Sequence, residues 1–179
     1  METILDVLIS DHRAIQALFE HVADESEREQ LVTLLVRHFV AEEQYLYPLV
    51  ADTLADGARA GDAAFAEHRA TEQELKVLER EDASAADVAA ALASVEARFG
   101  EHVDTQENKL FRELAAQADR AELARLADEV LGAEQLAPTR PRMIAASSPA
   151  LNKFTSFVEG YLDHVRDAYS HRGVPDDQS

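Results

Sequence analysis

The stretch HFVAEEQYLYP, residues 38–48, places polar side chains where a helix should carry core residues. His38 and Glu42 lie four positions apart, so they share one face of a helix. That face continues upstream through the apolar residues Leu31 and Leu34. A buried polar group without a partner costs about 1–3 kcal/mol. The stretch therefore predicts a helix whose inward face holds a pair of ligand-binding side chains.

Three other predicted helices carry polar residues on their apolar stripes. His12 replaces a core residue in the first helix, and His102 does so in the fourth. The complete inward set is His12, His38, Glu42, His68, Glu72, His102 and Glu107. Without partners, seven such groups would cost an amount comparable with the ~5–15 kcal/mol net stability of a domain. The set therefore predicts bound metal, and a pair of ions is the simplest occupant.

Helical periodicity recurs along the chain, which predicts an all-α fold built on an up-down-up-down four-helix bundle with additional C-terminal helices. The four long helices are expected over residues 3–22, from 26 to beyond 49, over 62–80 and from 84 to about 117. Ser26 and Glu29 form a candidate capping box for the second helix, which Pro48 should kink or shorten. Ser84 is expected to cap the fourth helix. A shorter helix over 118–131 should end at Gly132.

The domain organisation follows from these elements. Residues 1–136 are expected to form the bundle, and the Pro- and Ser-containing segment 137–149 reads as a linker. Helical periodicity returns in 150–172, which predicts a C-terminal helix. The tail 173–179 should be disordered.

Composition excludes several classes of function. The 179 residues carry a formal net charge of -18, which argues against nucleic acid and against anionic membrane surfaces as partners. The absence of cysteine excludes disulfides, zinc fingers and thiolate-bound clusters. Neither a signal peptide nor a transmembrane run is recognisable, so a cytoplasmic location is expected.

The ligand chemistry narrows the choice of metal. Imidazole and carboxylate donors without thiolate suit iron or manganese, with zinc and copper as competitors. Carboxylates bridge two cations and balance their charge, while imidazoles fill terminal positions. Four histidines and three glutamates are too many for one ion and reasonable for two.

The order of these residues resembles the hemerythrin-like (HHE cation-binding) family. The resemblance spans about Leu5 to Leu114 and rests on four ordered features. They are Asp11-His12, HFVAEEQYLYP at 38–48, Glu67-His68 and HVDTQE at 102–107.

The family resemblance implies a non-haem di-iron centre with an oxo or hydroxo bridge. By that resemblance, His12 and His38 would bind one iron, and His68 and His102 the other. Glu42 and Glu107 would bridge the two ions. The second iron would keep a vacant position for a small molecule.

Glu72 departs from the family pattern. The oxygen-carrying members have a second histidine one turn after the third-helix histidine, where this chain has Glu72. A carboxylate there adds negative charge and stabilises the ferric state, which argues against reversible oxygen carriage. The resemblance associates such variants more with peroxide or nitric oxide chemistry.

The choice between Glu107 and Gln106 as a ligand depends on local helix geometry. Glu107 follows His102 by five residues, about 140° around a straight helix, whereas Gln106 is better aligned. The family carries its bridging carboxylate at the five-residue spacing, so we choose Glu107 and predict a local irregularity such as a π-bulge.

Tyr45 is the candidate catalytic residue. It lies seven positions after His38 and should point toward the metals. Its alternatives are a core aromatic with a satisfied hydroxyl, a hydrogen-bond donor to a bound oxygen species, or a metal ligand. Tyr47 is expected to serve packing.

The leading hypothesis is a protein that binds or transforms O2, peroxide or nitric oxide, with catalase- or peroxidase-like or nitric-oxide-consuming activity as the enzymatic version. The alternative is a non-catalytic iron, oxygen or redox sensor, or an iron-storage module, in which the centre alters the docking of the C-terminal helix. A purely structural bundle is the third class. The electron donor, and the choice between monomer and homodimer, are left open.

Overall fold

The structure is a computed structural model that describes residues 2–80 and 82–136. This part of the chain is all-helical and has no strand, which confirms the all-α prediction. Its elements are α1 (Ile4–Phe19), α2 (Glu25–Ala41), π1 (Glu42–Leu46), α3 (Tyr47–Thr53), α4 (Gly57–Leu78), α5 (Ala85–Thr105), π2 (Gln106–Leu110), α6 (Phe111–Gln117) and α7 (Arg120–Leu136). The predicted linker 137–149, helix 150–172 and tail 173–179 lie outside the described residues.

Two π-helical turns interrupt the long helices without breaking them. The residues at both junctions keep right-handed helical dihedrals, so α2, π1 and α3 run on continuously, as do α5, π2 and α6. Tyr47 N–H donates to the carbonyl of Glu42, and Phe111 N–H donates to that of Gln106, each five residues back. The predicted irregularity beside Glu107 is confirmed. Its counterpart at π1 was not predicted.

The predicted start of the second helix at Ser26 is wrong. Asp24 is the N-cap, because its side chain accepts the N–H of Glu27 at 3.0 Å while the Glu27 carboxylate accepts the N–H of Asp24 at 3.2 Å. The helix therefore begins at Glu25. The predicted cap at Ser84 is confirmed, with Asp87 completing its capping box.

Three other helix boundaries differ from prediction. Helix α1 ends at Phe19 rather than near residue 22. Helix α4 begins at Gly57 rather than near residue 62, because its first turn packs directly against α3. Helix α7 runs through Gly132, since an isolated glycine weakens a helix without ending it. Within the described chain, no helix has the length and apolar character needed to cross a membrane.

The core consists of two hydrophobic clusters with a polar layer between them. The first cluster is built from the start of α1, from α3 and α6, and from α7. The second is built from the end of α1, from α2, and from the later parts of α4 and of α5. Along α1, for example, Leu8 belongs to the first cluster and Ile15 to the second, with the buried His12 between them. The candidate site lies in this polar layer.

Gly57→Ala should destabilise the protein by about 1–3 kcal/mol through overpacking. A Cβ at Gly57 would overlap the Val50 carbonyl oxygen and stand 2.9 Å from the Cα of Ala51. Gly100→Ala is the matched control, because a Cβ there meets nothing within 4 Å and should add about 0.5–1 kcal/mol of helix stability. Urea denaturation measures both. Equal stability changes in the two variants would contradict the close approach of α3 and α4.

Candidate metal centre

Four polar side chains from three helical rods converge in the layer between the two clusters. His12 comes from α1, His38 and Glu42 from the α2–π1 junction, and His102 from the end of α5. One ligand atom of each residue lies within 4.8 Å of those of the others, and all four side chains are buried. Such a group can hold a cation.

Glu42 occupies the middle of the layer and is fully buried. Its Oε1 lies 3.2 Å from His38 Nε2 and 3.4 Å from His102 Nε2. Its Oε2 lies 3.1 Å from His68 Nε2 and accepts the Tyr47 hydroxyl at 3.0 Å. The two carboxylate oxygens thus face two different donor groups.

Two carboxylates outside the layer contact the Nδ1 atoms of His12 and His68. Glu107 Oε1 lies 2.8 Å from His12 Nδ1, and Glu43 Oε1 lies 3.2 Å from His68 Nδ1. Metal-binding histidines commonly have such a partner, because it fixes the tautomer and the ring orientation. In both residues the arrangement leaves Nε2 as the nitrogen available for a cation.

Phenylalanine rings stack on three of the four imidazoles. Phe39 stacks on His68 with ring centroids 4.0 Å apart, and Phe99 stacks on His102 at 5.5 Å. Phe111 lies parallel to His12 at 5.9 Å. These contacts restrict ring rotation and surround the polar layer with apolar surface.

The buried charges shift the pKa values of the layer in opposite directions. Burial, together with the neighbouring His38, lowers the pKa of His12 to about 4. Burial also opposes protonation of His38 and His68, but carboxylates outweigh it and raise their pKa values to about 10 and about 9. Burial would raise the pKa of Glu42, yet His38 and His102 hold it well below its usual range. Without a cation, protons on the imidazoles balance the Glu42 charge.

The donor set fits a cation. His12 Nε2 is fully buried and makes no hydrogen bond among the described residues, and Glu42 Oε1 faces the imidazoles of His38 and His102. Each is a lone-pair donor of the kind that binds iron, manganese or zinc. An unpartnered polar atom at this depth costs about 1–3 kcal/mol, and a bound cation would satisfy His12 Nε2.

Glu72 and Glu107, the other two predicted carboxylates, lie outside the four-residue group. Glu72 is 1% exposed, one turn after His68 on α4. Glu107 contacts His12 Nδ1 and Arg13 on the outer side of the layer. Gln106 is instead the buried residue, 3% exposed, and its amide donates to the Tyr47 hydroxyl at 3.1 Å.

The structure places Tyr47, rather than Tyr45, beside the histidines. Tyr45 is half-buried against the first cluster, where burial and Glu129 of α7 raise its pKa. The i→i+5 hydrogen bond of π1 puts Tyr47 one turn after Glu42. Its hydroxyl lies 3.1 Å from His68 Nε2. The expected positions of the two tyrosines were wrong because they assumed a regular α-helix, whereas π1 adds one residue to the turn.

Glu43 is a further site residue that sequence reasoning missed. It follows His38 by five positions, as Glu107 follows His102, and each contacts the Nδ1 of a histidine from another helix. The repeated five-residue spacing was the signal that could have found it.

A family model described as the hemerythrin HHE cation binding domain matches residues 3–114. This range covers more than half of the chain and contains the whole polar layer. No curated protein and no solved structure matches the chain.

Metal affinity should rise with pH below about pH 9. His38 and His68 are protonated in the metal-free protein at neutral pH, since their pKa values are raised to about 10 and about 9. A cation binds only the neutral imidazole, so a cation at either residue releases one proton and its affinity should rise about tenfold per pH unit. Calorimetric zinc titrations in buffers of different protonation enthalpy measure the release. Binding without proton release would contradict it.

Glu43→Gln should weaken metal binding by about 10–100-fold, because the amide orients His68 less strongly than the carboxylate does. Competition with a chelator measures the affinity. The exposed Glu96→Gln is the matched control and should bind as the wild type does. An unchanged affinity for Glu43→Gln would show that the contact has no role in binding.

Proposed function

Because the chain belongs to the hemerythrin HHE cation-binding family, we propose that it is a non-haem di-iron protein that binds or transforms a small oxygen or nitrogen species. Peroxide breakdown and nitric oxide scavenging are the leading reactions, followed by oxygen binding. The observation that carries the proposal is the buried Glu42, whose two oxygens face separate donor groups. A carboxylate in this position is suited to bridge two cations.

The proposed ligands are the seven inward residues predicted from the sequence. His38 and His102 lie on the Oε1 side of Glu42, with His12 in the same buried group, and His68 lies on its Oε2 side. This grouping supports placing His102 with the first ion, whereas the family resemblance pairs it with His68. Glu72 lies one turn beyond His68 as the next carboxylate on α4.

Glu107 remains in the proposed ligand set as a bridging carboxylate. To bridge, it must exchange its contacts with His12 Nδ1 and Arg13 for the cations. Its side chain is 18% exposed, so it has room to move.

We also propose that residues 1–136 form one domain built on an up-down-up-down four-helix bundle. Its four members are α1, the α2–π1–α3 rod, α4 and the α5–π2–α6 rod. Short connections join successive members, which favours antiparallel neighbours. Helix α7 packs across the end that holds the first hydrophobic cluster.

A cavity of about 500 Å³ provides a route for a small molecule. The buried Tyr47, Gln106 and His102 line it, together with the exposed side chains of Arg59 and Lys109. It therefore joins the protein surface to the polar layer. This continuity supports a function in which a ligand exchanges with solvent.

A pair of iron ions would supply Lewis acidity and one-electron redox chemistry to a bound O2, peroxide or nitric oxide. The chain supplies the orientation and the environment. Glu43 holds the ring of His68, and Phe39 covers one face of it. Tyr47 lines the cavity, and its hydroxyl donates to Glu42 Oε2 at 3.0 Å. Glu72 adds negative charge, which favours the higher oxidation state over reversible oxygen carriage.

The sensor or storage alternative depends on the helix predicted over 150–172, which lies outside the described residues. The leading proposal depends only on residues within 3–114.

His38→Ala and Glu42→Ala should each lose at least one of the two irons expected per chain, because each removes a donor from the buried layer. Metal analysis after expression with iron, with an optical spectrum, measures the content. The matched control is His21→Ala, an exposed histidine just after α1, which should keep both irons.

Iron-loaded wild-type protein should decompose peroxide or consume nitric oxide, and His38→Ala should do neither at a comparable rate. Wild-type protein that binds two irons but performs neither reaction would refute the catalytic proposal. Wild-type protein without iron would refute the di-iron proposal itself.

A further inference from the structure

Three donor atoms on the Oε2 side of Glu42 form a nearly equilateral triangle. Tyr47 Oη lies 3.0 Å from Glu42 Oε2 and 3.1 Å from His68 Nε2, and the last two atoms are 3.1 Å apart. Glu42 and His68 are proposed ligands of the second ion, and Tyr47 is not among the seven proposed ligands. From this triangle we propose that the Tyr47 phenolate is a third ligand of the second cation.

The edges of the triangle match the spacing of adjacent metal ligands. With bonds of about 2.1 Å, neighbouring ligands of an octahedral ion stand about 3.0 Å apart, and those of a tetrahedral ion about 3.4 Å. The observed edges of 3.0–3.1 Å fall at this spacing. A cation held by Glu42 Oε2 and His68 Nε2 would therefore have Tyr47 Oη as a neighbouring donor.

The surroundings of Tyr47 fix its oxygen beside Glu42 and His68. Burial and the Glu42 carboxylate raise the pKa of its hydroxyl, so the bound cation itself must displace the proton. The residue is 2% exposed, so its oxygen has already lost its contact with bulk water. The amide of Gln106 donates to Oη at 3.1 Å, a hydrogen bond that becomes stronger when the oxygen is charged. Phe65 lies against the ring at 5.6 Å and limits its movement.

The two sides of the centre differ in their donors at equivalent positions. Tyr47 is the first residue after π1, and Phe111 is the first residue after π2. Phe111 stacks on His12, which belongs to the same buried group as His38 and His102. On the Oε2 side of Glu42, the Tyr47 hydroxyl lies beside His68 Nε2 and offers a further donor.

Ligation requires a proton transfer and no oxidant. The Tyr47 O–H bond breaks, its proton passes to bulk water, and the oxygen–metal bond forms with no change in oxidation state. The resulting phenolate adds one negative charge to the second cation and strengthens the preference for a ferric ion. The inference rests on the proposed di-iron function.

The test is resonance Raman and visible spectroscopy of the ferric protein. Phenolate ligation should give a phenolate-to-iron charge-transfer band in the visible region and tyrosinate vibrations that shift on ring deuteration of tyrosine. Tyr47→Phe should reduce the band to about a tenth of its wild-type intensity or less. Tyr45→Phe, the matched control, should keep it.

Wild-type protein with two irons and no tyrosinate vibrations would overturn the inference and leave the di-iron proposal standing. A band that persists in Tyr47→Phe and disappears in Tyr45→Phe would overturn it in favour of Tyr45. Wild-type protein without iron would overturn both. The wild-type measurement decides the question even if Tyr47→Phe fails to fold.

Discussion

The buried carboxylate of Glu42 is the constraint on which the rest of the structure depends. It has no solvent exposure, and the imidazoles of His38, His68 and His102 stand within 3.4 Å of its oxygens. A charge at this depth must be neutralised by protons or by metal ions, because bulk water cannot reach it. Glu43, Glu107 and the stacked phenylalanines hold the imidazoles in positions where they can either carry a proton or bind a metal ion.

The two π turns give this layer its geometry. Each begins four residues after a histidine and places its first residue, Glu42 or Gln106, at the buried centre. The next residue, Glu43 or Glu107, then reaches the Nδ1 atom of a histidine on a different helix. A regular helix cannot bring residues at the fourth, fifth and ninth positions after a histidine to one site. The extra residue in each turn makes this possible, in keeping with the frequent occurrence of π turns at functional sites.

The burial of the inward histidines could be predicted, because residues three or four positions apart share one face of any α-helix. His12, His38, His68 and His102 all lie in the buried layer, as does Glu42. Positions within or beyond a π turn could not be predicted in the same way, because the extra residue rotates the side chains that follow it by about 100° around the helix axis. Tyr45 therefore faces α7 while Tyr47 faces the histidines. The start of α2 was equally hard to predict, because Asp24 and Ser26 are each followed three residues later by a glutamate and both can therefore begin a capping box.

The contacts between the outer carboxylates and the histidines have a consequence for the order of assembly. The helical hairpin that contains His12 supplies Glu43, which holds His68 in the second hairpin. The second hairpin in turn supplies Glu107, which holds His12 in the first. Neither hairpin alone supplies both partners of these contacts, so the Nδ1 atoms of His12 and His68 gain their carboxylate partners only when the two hairpins dock. Docking of the hairpins should therefore precede tight metal binding at these two rings.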